Sequence, residues 1–193
     1  MKDGDVKARL VYLVGASGSG KDWLMTYARG SLAGETHIAF AHRYITRAAD
    51  AGAENHVALT LEEFEARQRA GLFAMHWKSH GYAYGIGIEI NQWLAKGVTV
   101  VVNGSREYLG VAAQRYQELL PVWIEVPPEL LRRRLQARGR ESAEEIEARL
   151  ARLPAGQPVA RSGEIISNDR EPEAAGQALV ELIRRHSGNM LCA

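Results

Sequence analysis

The chain has 193 residues, with 24 Lys and Arg against 23 Asp and Glu and a formal charge of +1. That length suits one ordinary domain, able to bury roughly 70% of its unfolded surface without metal or disulfide staples; with 46% hydrophobic and 24% charged residues, wholesale disorder is excluded. The near-neutral balance creates no demand for a nucleic-acid or membrane-surface partner, and the one cysteine, Cys192, excludes an intramolecular disulfide and a cysteine-rich zinc site.

The first ten residues are charged and lack the apolar stretch of a signal peptide, and the first apolar run, Leu10 to Val14, is far shorter than the ~20 residues that cross a bilayer. A soluble, cytoplasmic protein is expected. Leu10 to Val14 suits a strand buried on both faces. It runs into Gly15-Ala16-Ser17-Gly18-Ser19-Gly20-Lys21-Asp22, after which a helix is expected from Lys21 through Trp23, Leu24, Met25 and Tyr27. His37 to Ala41 reads as a second short strand. Thr60 and Glu63 have capping-box spacing and open a helix through about Arg69, stopped by Gly71. Val98 to Asn103 is the clearest buried strand, and Val122 to Val126, ended by two prolines, is another. Helices follow over 128–137 and 142–153, the second opened by Ser142 and Glu145 at capping-box spacing. Glu164 to Ser167 is a last strand and Pro172 to Arg185 a last helix. Trp23 and Trp93 are expected in the core.

Alternating strands and helices with doubly buried strands imply a parallel sheet covered on both faces. Residues 43–93 fit poorly as another strand–helix–strand unit. With glycines at 52, 71, 81, 85 and 87, they read as an insert over the strand ends, where such sheets bind ligands.

Gly15 to Lys21 is G-x-x-x-x-G-K in the strand-to-helix setting that a phosphate cradle requires. Glycines let successive amide N–H groups converge on phosphate oxygens, the helix start adds partial positive charge, and Lys21 adds a full charge for the β- and γ-phosphates. The eighth position, usually a Ser or Thr that binds Mg²⁺, is Asp22. A carboxylate binds Mg²⁺ directly or through water but repels bare phosphate. Asp22 is the candidate metal residue, and its plain alternative is a first-turn acid favoured by the helix dipole.

Thr46-Arg47, Gly52, Glu54, Leu61 to Phe64 and Tyr84-Gly85 resemble the nucleotide-accepting insert of guanylate kinases. Leu131 to Gly139, followed by Arg149-Leu150, resembles their arginine-bearing lid, and Ile166 to Asp169 the segment near their adenine site. The resemblance spans about Leu10 to Ile183. It implies one P-loop NTPase domain over 8–193, a three-layer α/β/α fold with a central parallel sheet, an acceptor-binding insert at 43–93 and a helical lid at 131–150.

The departures are specific. Met75 stands where guanylate kinases place the Glu that hydrogen-bonds guanine, and Ile86 and Gly87 stand where a hydroxyl reads the base. Asn103 and Ser105 replace acids after the central strand, and Asp50 falls where an acceptor-phosphate Arg is usual, with Arg43 nearby. A site that reads guanine through buried polar pairs fails when those groups are removed. The replacement strings, Ala41 to Arg47, Glu54 to Val57, His76-Trp77, Tyr84 to Glu89 and Val101 to Arg106, resemble the ribose 1,5-bisphosphate phosphokinase family, whose P-loop likewise ends in Lys-Asp.

That resemblance implies transfer of the ATP γ-phosphoryl group to the 1-phosphate of ribose 1,5-bisphosphate, giving 5-phosphoribosyl 1-diphosphate in phosphonate breakdown by the carbon–phosphorus lyase pathway. It implies ATP binding by Gly15, Ala16, Ser17, Gly18, Ser19, Gly20, Lys21, Asp22 and Asn168, with Mg²⁺ carried as Mg-ATP. Catalysis falls to Lys21, Arg134 and Arg138, and acceptor binding to Arg43, Arg47, His56, Tyr84, Asn103 and Arg149. Arg134 and Arg138, four apart, share one helical face, whereas Arg132 and Arg133 are expected at the surface. Arg149 is also explained by pairing with Glu145. His42 is a candidate for contact with the sugar phosphate, and His76 and Trp77 for lining the ribose pocket or forming its floor. ATP and a phosphorylated ribose are the expected partners, without nucleic acid or membrane; the oligomeric state is open, a homodimer included. The competing functions are a guanylate or other nucleoside monophosphate kinase and a non-catalytic binding module, which would typically lose the P-loop lysine or the lid arginines.

Overall fold

The structure, a computed structural model, describes residues 9–48, 56–139, 142–151 and 162–187, without the Arg138 side chain. Asp50, Gly52, Glu54, Arg140, Leu153 and Cys192 lie outside the described residues.

β1 (Leu10–Gly15) runs through the middle of a five-stranded parallel sheet of order β2-β7-β1-β8-β9. The others are β2 (Ile38–Phe40), β7 (Thr99–Asn103), β8 (Leu119–Glu125) and β9 (Glu164–Ser167). Leu10 to Val14 are at most 1% exposed because alternate residues enter opposite cores. Val11 and Leu13 meet α1 (Lys21–Ser31) and α7 (Pro172–His186) through Leu24, Ala28, Leu179 and Ile183. Leu10, Tyr12 and Val14 meet Ile90 of α3 (Glu89–Ala95) and Ala112 of α4 (Leu109–Arg115). Three layers result. The sequence pattern did not signal α3 and α4, which are seven residues each and too short for a clear period.

The insert has its own mixed sheet, β4-β3-β6-β5, made of β3 (Arg43–Ile45), β4 (Val57–Ala58), β5 (Phe73–Ser79) and β6 (Tyr82–Gly87). Sequence reading missed these strands because two are three residues or fewer and β5 carries a register shift between Phe73 and Met75. The expected capping box opens α2 (Leu61–Arg69): Glu63 N–H donates to Thr60 Oγ1 at 3.1 Å, and Thr60 N–H donates to the Glu63 carboxylate at 2.9 Å. Phe64 of α2 stacks on Phe73, closing the outer face of this sheet.

α5 (Pro128–Arg138) ends at Gly139 with φ +61°, the left-handed turn a glycine takes without cost. After that turn comes α6 (Ala143–Ala151), opened by the second expected capping box, with Glu145 N–H donating to Ser142 Oγ at 3.2 Å. Trp93 packs on the core as expected. Trp23 does not: it is 41% exposed and stacks on Tyr27 at 5.3 Å, because α1 turns that position toward the cleft at the sheet's edge.

Candidate active site

β1 ends at Gly15 and α1 begins at Lys21, so the glycine loop lies at the C-terminal edge of the parallel sheet. Gly18 and Gly20 have φ of +87° and +90°, conformations that L side chains rarely adopt. A Cβ on Gly18 would meet Leu131 and Leu135 of α5, and one on Gly20 would meet the Asn168 amide at 2.5 Å. Asn168, just past β9, donates its side-chain N–H to the Ser19 carbonyl at 2.8 Å, while its own backbone N–H bonds the Glu125 carbonyl. Ser19 is buried as a result, at 1% exposure. Lys21 folds over the loop, its Nζ donating to the carbonyls of Gly15 at 2.8 Å and Ala16 at 3.0 Å.

A cleft of ≈ 410 Å³ opens between this loop, the insert sheet, the segment after β7 and α5. Gly15, Ser17, Gly18, Gly20, Lys21 and Asp22 line its loop side; Arg43, Arg47 and Tyr84 line its insert side, and Arg134 reaches it from α5. The Arg134 guanidinium comes within 4.0 Å of where a Gly20 Cβ would stand. Leu131, Leu135 and Ile146 pack against Ala16, so the apolar face of α5 and α6 seats directly on the glycine loop. Arg132 turns outward and forks onto Glu147 with bonds of 2.6 and 3.0 Å.

Asp22 faces the cleft beside Arg43, whose guanidinium lies 3.9 Å from Oδ1. Asn103, at the end of β7, donates its side-chain N–H to the same carboxylate at 2.8 Å. Asn103 is 3% exposed and does not border the main cleft; it sits behind Asp22, where sequence reasoning had placed it against the acceptor. His56 is also behind the site: its ring nitrogen bonds the Arg47 carbonyl at 3.1 Å, fixing that residue's backbone. Arg149 is half-buried on α6 and does not line the cleft. His42 and His76 are exposed and outside its lining, His76 because it alternates with Trp77 along β5.

Trp77 does face the cleft, stacked 5.6 Å from Tyr84 with an interplanar angle of 4° and 5.6 Å from Tyr108 at 29°. Arg43 lies over the Tyr84 ring at 5.2 Å. Sequence reasoning missed Ser79, His80, Ser105 and Glu107, which line the same cleft; only the β5–β6 pairing brings the first two there. Met75 and Ile86, the positions with apolar residues in place of base-reading groups, pair across β5 and β6, are fully buried, and pack into the core under the sheet. Tyr12 supports the cleft from below: its hydroxyl accepts from Ser105 N–H at 2.9 Å and donates to the Ser105 carbonyl at 3.1 Å. Burial pushes this phenol up to about 12.

Among the described residues no group of three or more His, Cys, Asp or Glu stands close enough to hold a metal ion, and no helix is long and apolar enough to cross a membrane. No family model matches the chain. The ribose 1,5-bisphosphate phosphokinase PhnN of Thiobacillus denitrificans is 53% identical over 177 residues, covering 92% of this chain and 93% of that one. The protein of the same name from Desulfomicrobium baculatum is 57% identical over 178 residues, covering 91% and 94%. Among solved structures, guanylate kinase from Anaplasma phagocytophilum superposes with a TM-score of 0.67 at 19% identity, covering 96% of this chain and 89% of that one. A gluconokinase from Sinorhizobium meliloti 1021 gives 0.52 at 16% identity. Both structural likenesses speak to the fold, which is that of the guanylate-kinase-like P-loop kinases.

Proposed function

The chain belongs to the ribose 1,5-bisphosphate phosphokinase family, and on that premise we propose that it moves the γ-phosphoryl group of ATP to the 1-phosphate of ribose 1,5-bisphosphate. The products are 5-phosphoribosyl 1-diphosphate and ADP, and the setting implied by the family is phosphonate breakdown in the cytoplasm. The attacking oxygen is already anionic, so little is asked of a general base. The task is to hold two mutually repelling anions in line and to neutralise the charge that develops between them.

The chain's own residues are suited to that task. Lys21 exchanges its two loop carbonyls for the β- and γ-phosphates when the donor enters. Arg134 approaches the loop from the lid and takes charge on the transferring group, a role that the family resemblance extends to Arg138. Arg43 and Arg47 hold the acceptor phosphate from the insert side, their planar guanidinium groups matched to its oxygens, and Tyr84 adds a hydroxyl. His56 and Asn103 act through Arg47 and Asp22, and Asn168 keeps the loop's shape.

Mg²⁺ fits the residues present. Asp22 offers a carboxylate at the cleft wall, and the Oδ1 of Asn103 beside it is buried without a hydrogen-bond partner, giving the all-oxygen donor chemistry a hard cation prefers. Asp22, oriented by Asn103, would hold the ion together with nucleotide phosphates. When bound, the ion supplies neutralisation of the β- and γ-phosphate oxygens.

One observation carries the choice of acceptor: the Met75–Ile86 pair is apolar and fully buried, so neither position offers a polar group to read a purine. Phosphorus NMR of the protein with Mg-ATP and a panel of acceptors tests it. A C1 diphosphate formed from ribose 1,5-bisphosphate is expected; GDP formed from GMP with a higher kcat/KM would overturn it.

A further inference from the structure

A ribose bisphosphate brings two dianions into the cleft, only one of which reacts. The cations nearest the glycine loop, Lys21, Arg43 and Arg134, are engaged by the donor and the reacting 1-phosphate in the function proposed above, on which this inference rests. From Arg43 a series of contacts leads away from the loop: Arg43 to Tyr84 at 5.2 Å, Tyr84 to Trp77 at 5.6 Å, and Trp77 to Tyr108 at 5.6 Å. Two polar segments adjoin this aromatic floor along the chain. Ser79 and His80 close β5 two and three residues past Trp77, and Arg106 stands two residues before Tyr108. All three border the cleft.

Both segments are built rather than loose. His80 has φ +50° and Gly81 φ +79°, so the β5–β6 hairpin turns on two left-handed residues. Such turns favour Asn-Gly or Gly-Gly, and a β-carbon with an imidazole is disfavoured in the first position, yet it stands at the cleft. On the opposite side, Ser105 has both backbone groups bonded to the buried Tyr12 hydroxyl, which locks the residue that leads into Arg106.

We propose that Ser79, His80 and Arg106 form the seat of the substrate's distal 5-phosphate, with the ribose lying over Trp77 and Tyr84 between its two phosphates. The seat sets a hydroxyl, an imidazole and a guanidinium against one neighbouring acid, Glu107, which also borders the cleft. It selects a sugar carrying phosphate at both ends over one phosphorylated at C1 alone.

The test uses two competitors of the bisphosphate, ribose 5-phosphate, which lacks the reacting phosphate, and ribose 1-phosphate, which carries it and whose own turnover is followed alongside its inhibition constant, on the parent enzyme and on Arg106→Gln and His80→Gly. Glycine accepts the turn's backbone, so the second variant retains its fold. Loss of a charged contact to the distal phosphate raises Ki for ribose 5-phosphate and KM for the bisphosphate about tenfold or more, while Ki for ribose 1-phosphate stays within about twofold. Equal changes in the two inhibition constants, or no change in either, with the parent turning over the bisphosphate, would overturn the seat alone. A parent enzyme that does not turn over the bisphosphate would overturn the functional proposal and the seat together.

Discussion

The Tyr12 hydroxyl satisfies both backbone groups of Ser105, accepting from its N–H at 2.9 Å and donating to its carbonyl at 3.1 Å, across a sequence separation of 93. A strand in the middle of the sheet thereby sets the position of a loop at the cleft wall. Gly104 is required for this approach, since a Cβ there would fall 2.1 Å from the Tyr12 ring. Tyr12→Phe leaves two backbone groups unsatisfied and is expected to cost about 1–3 kcal/mol in urea unfolding. It should also raise KM for the acceptor more than KM for ATP. Because the folded-state pKa of this phenol, about 12, lies above its ordinary value of 10.0, its contribution to stability is complete below pH 10.0 and is lost as pH rises toward about 12. Alkaline unfolding curves of the Phe variant should lack that fall.

Lys21 donates to two carbonyls of its own loop. Lys21→Ala should reduce kcat at least ~10³-fold with a far smaller effect on the thermal midpoint. A turnover rate near that of the parent would remove Lys21 from the chemistry.

Arg132 and Arg134 stand two residues apart on α5 and face different ways. Arg132→Gln gives up a surface ion pair with Glu147 and should change kcat and stability little. Arg134→Gln removes a cleft-facing guanidinium and should lower kcat by ~10²-fold or more with little effect on KM for ATP. Steady-state kinetics on the two variants side by side checks the assignment.

Asp22 accepts from Asn103 and neighbours Arg43, so Asp22→Ala should shift the Mg²⁺ concentration giving half-maximal rate upward about tenfold, with a much smaller effect on urea stability. Magnesium titrations that overlay for variant and parent would count against a metal role for this carboxylate. Asn103→Ala should move the same titration in the same direction and less far, since it orients the carboxylate without replacing it.

Much of the fold is legible locally. Leu10 to Val14 and Val98 to Asn103 read as doubly buried strands because the sheet has a helix layer on each face, and both capping boxes form at the residues their spacing names. The glycine loop is equally local, since the backbone freedom and the lysine sit within a few residues. The insert was harder: β3 and β4 are short, β5 is irregular, and their stability comes from pairing with one another and from the Phe64–Phe73 contact. Trp23 departs from the burial its apolar type implies because its position on the cleft side of α1 leaves it exposed.

By itself the sequence determined the strands of the main sheet and the longer helices, the glycine loop with its lysine, and the apolar identity of residues 75 and 86, because each follows from near neighbours along the chain or from residue type at a position. Tertiary structure alone decided that Asn103 backs Asp22 while His56 backs Arg47, that Arg134 and not Arg132 enters the cleft, and that Ser79, His80 and Arg106 share its lining. Those relationships join residues distant in sequence through strand pairing and helix packing, and a linear pattern carries no signal for which distant groups a folded surface brings together.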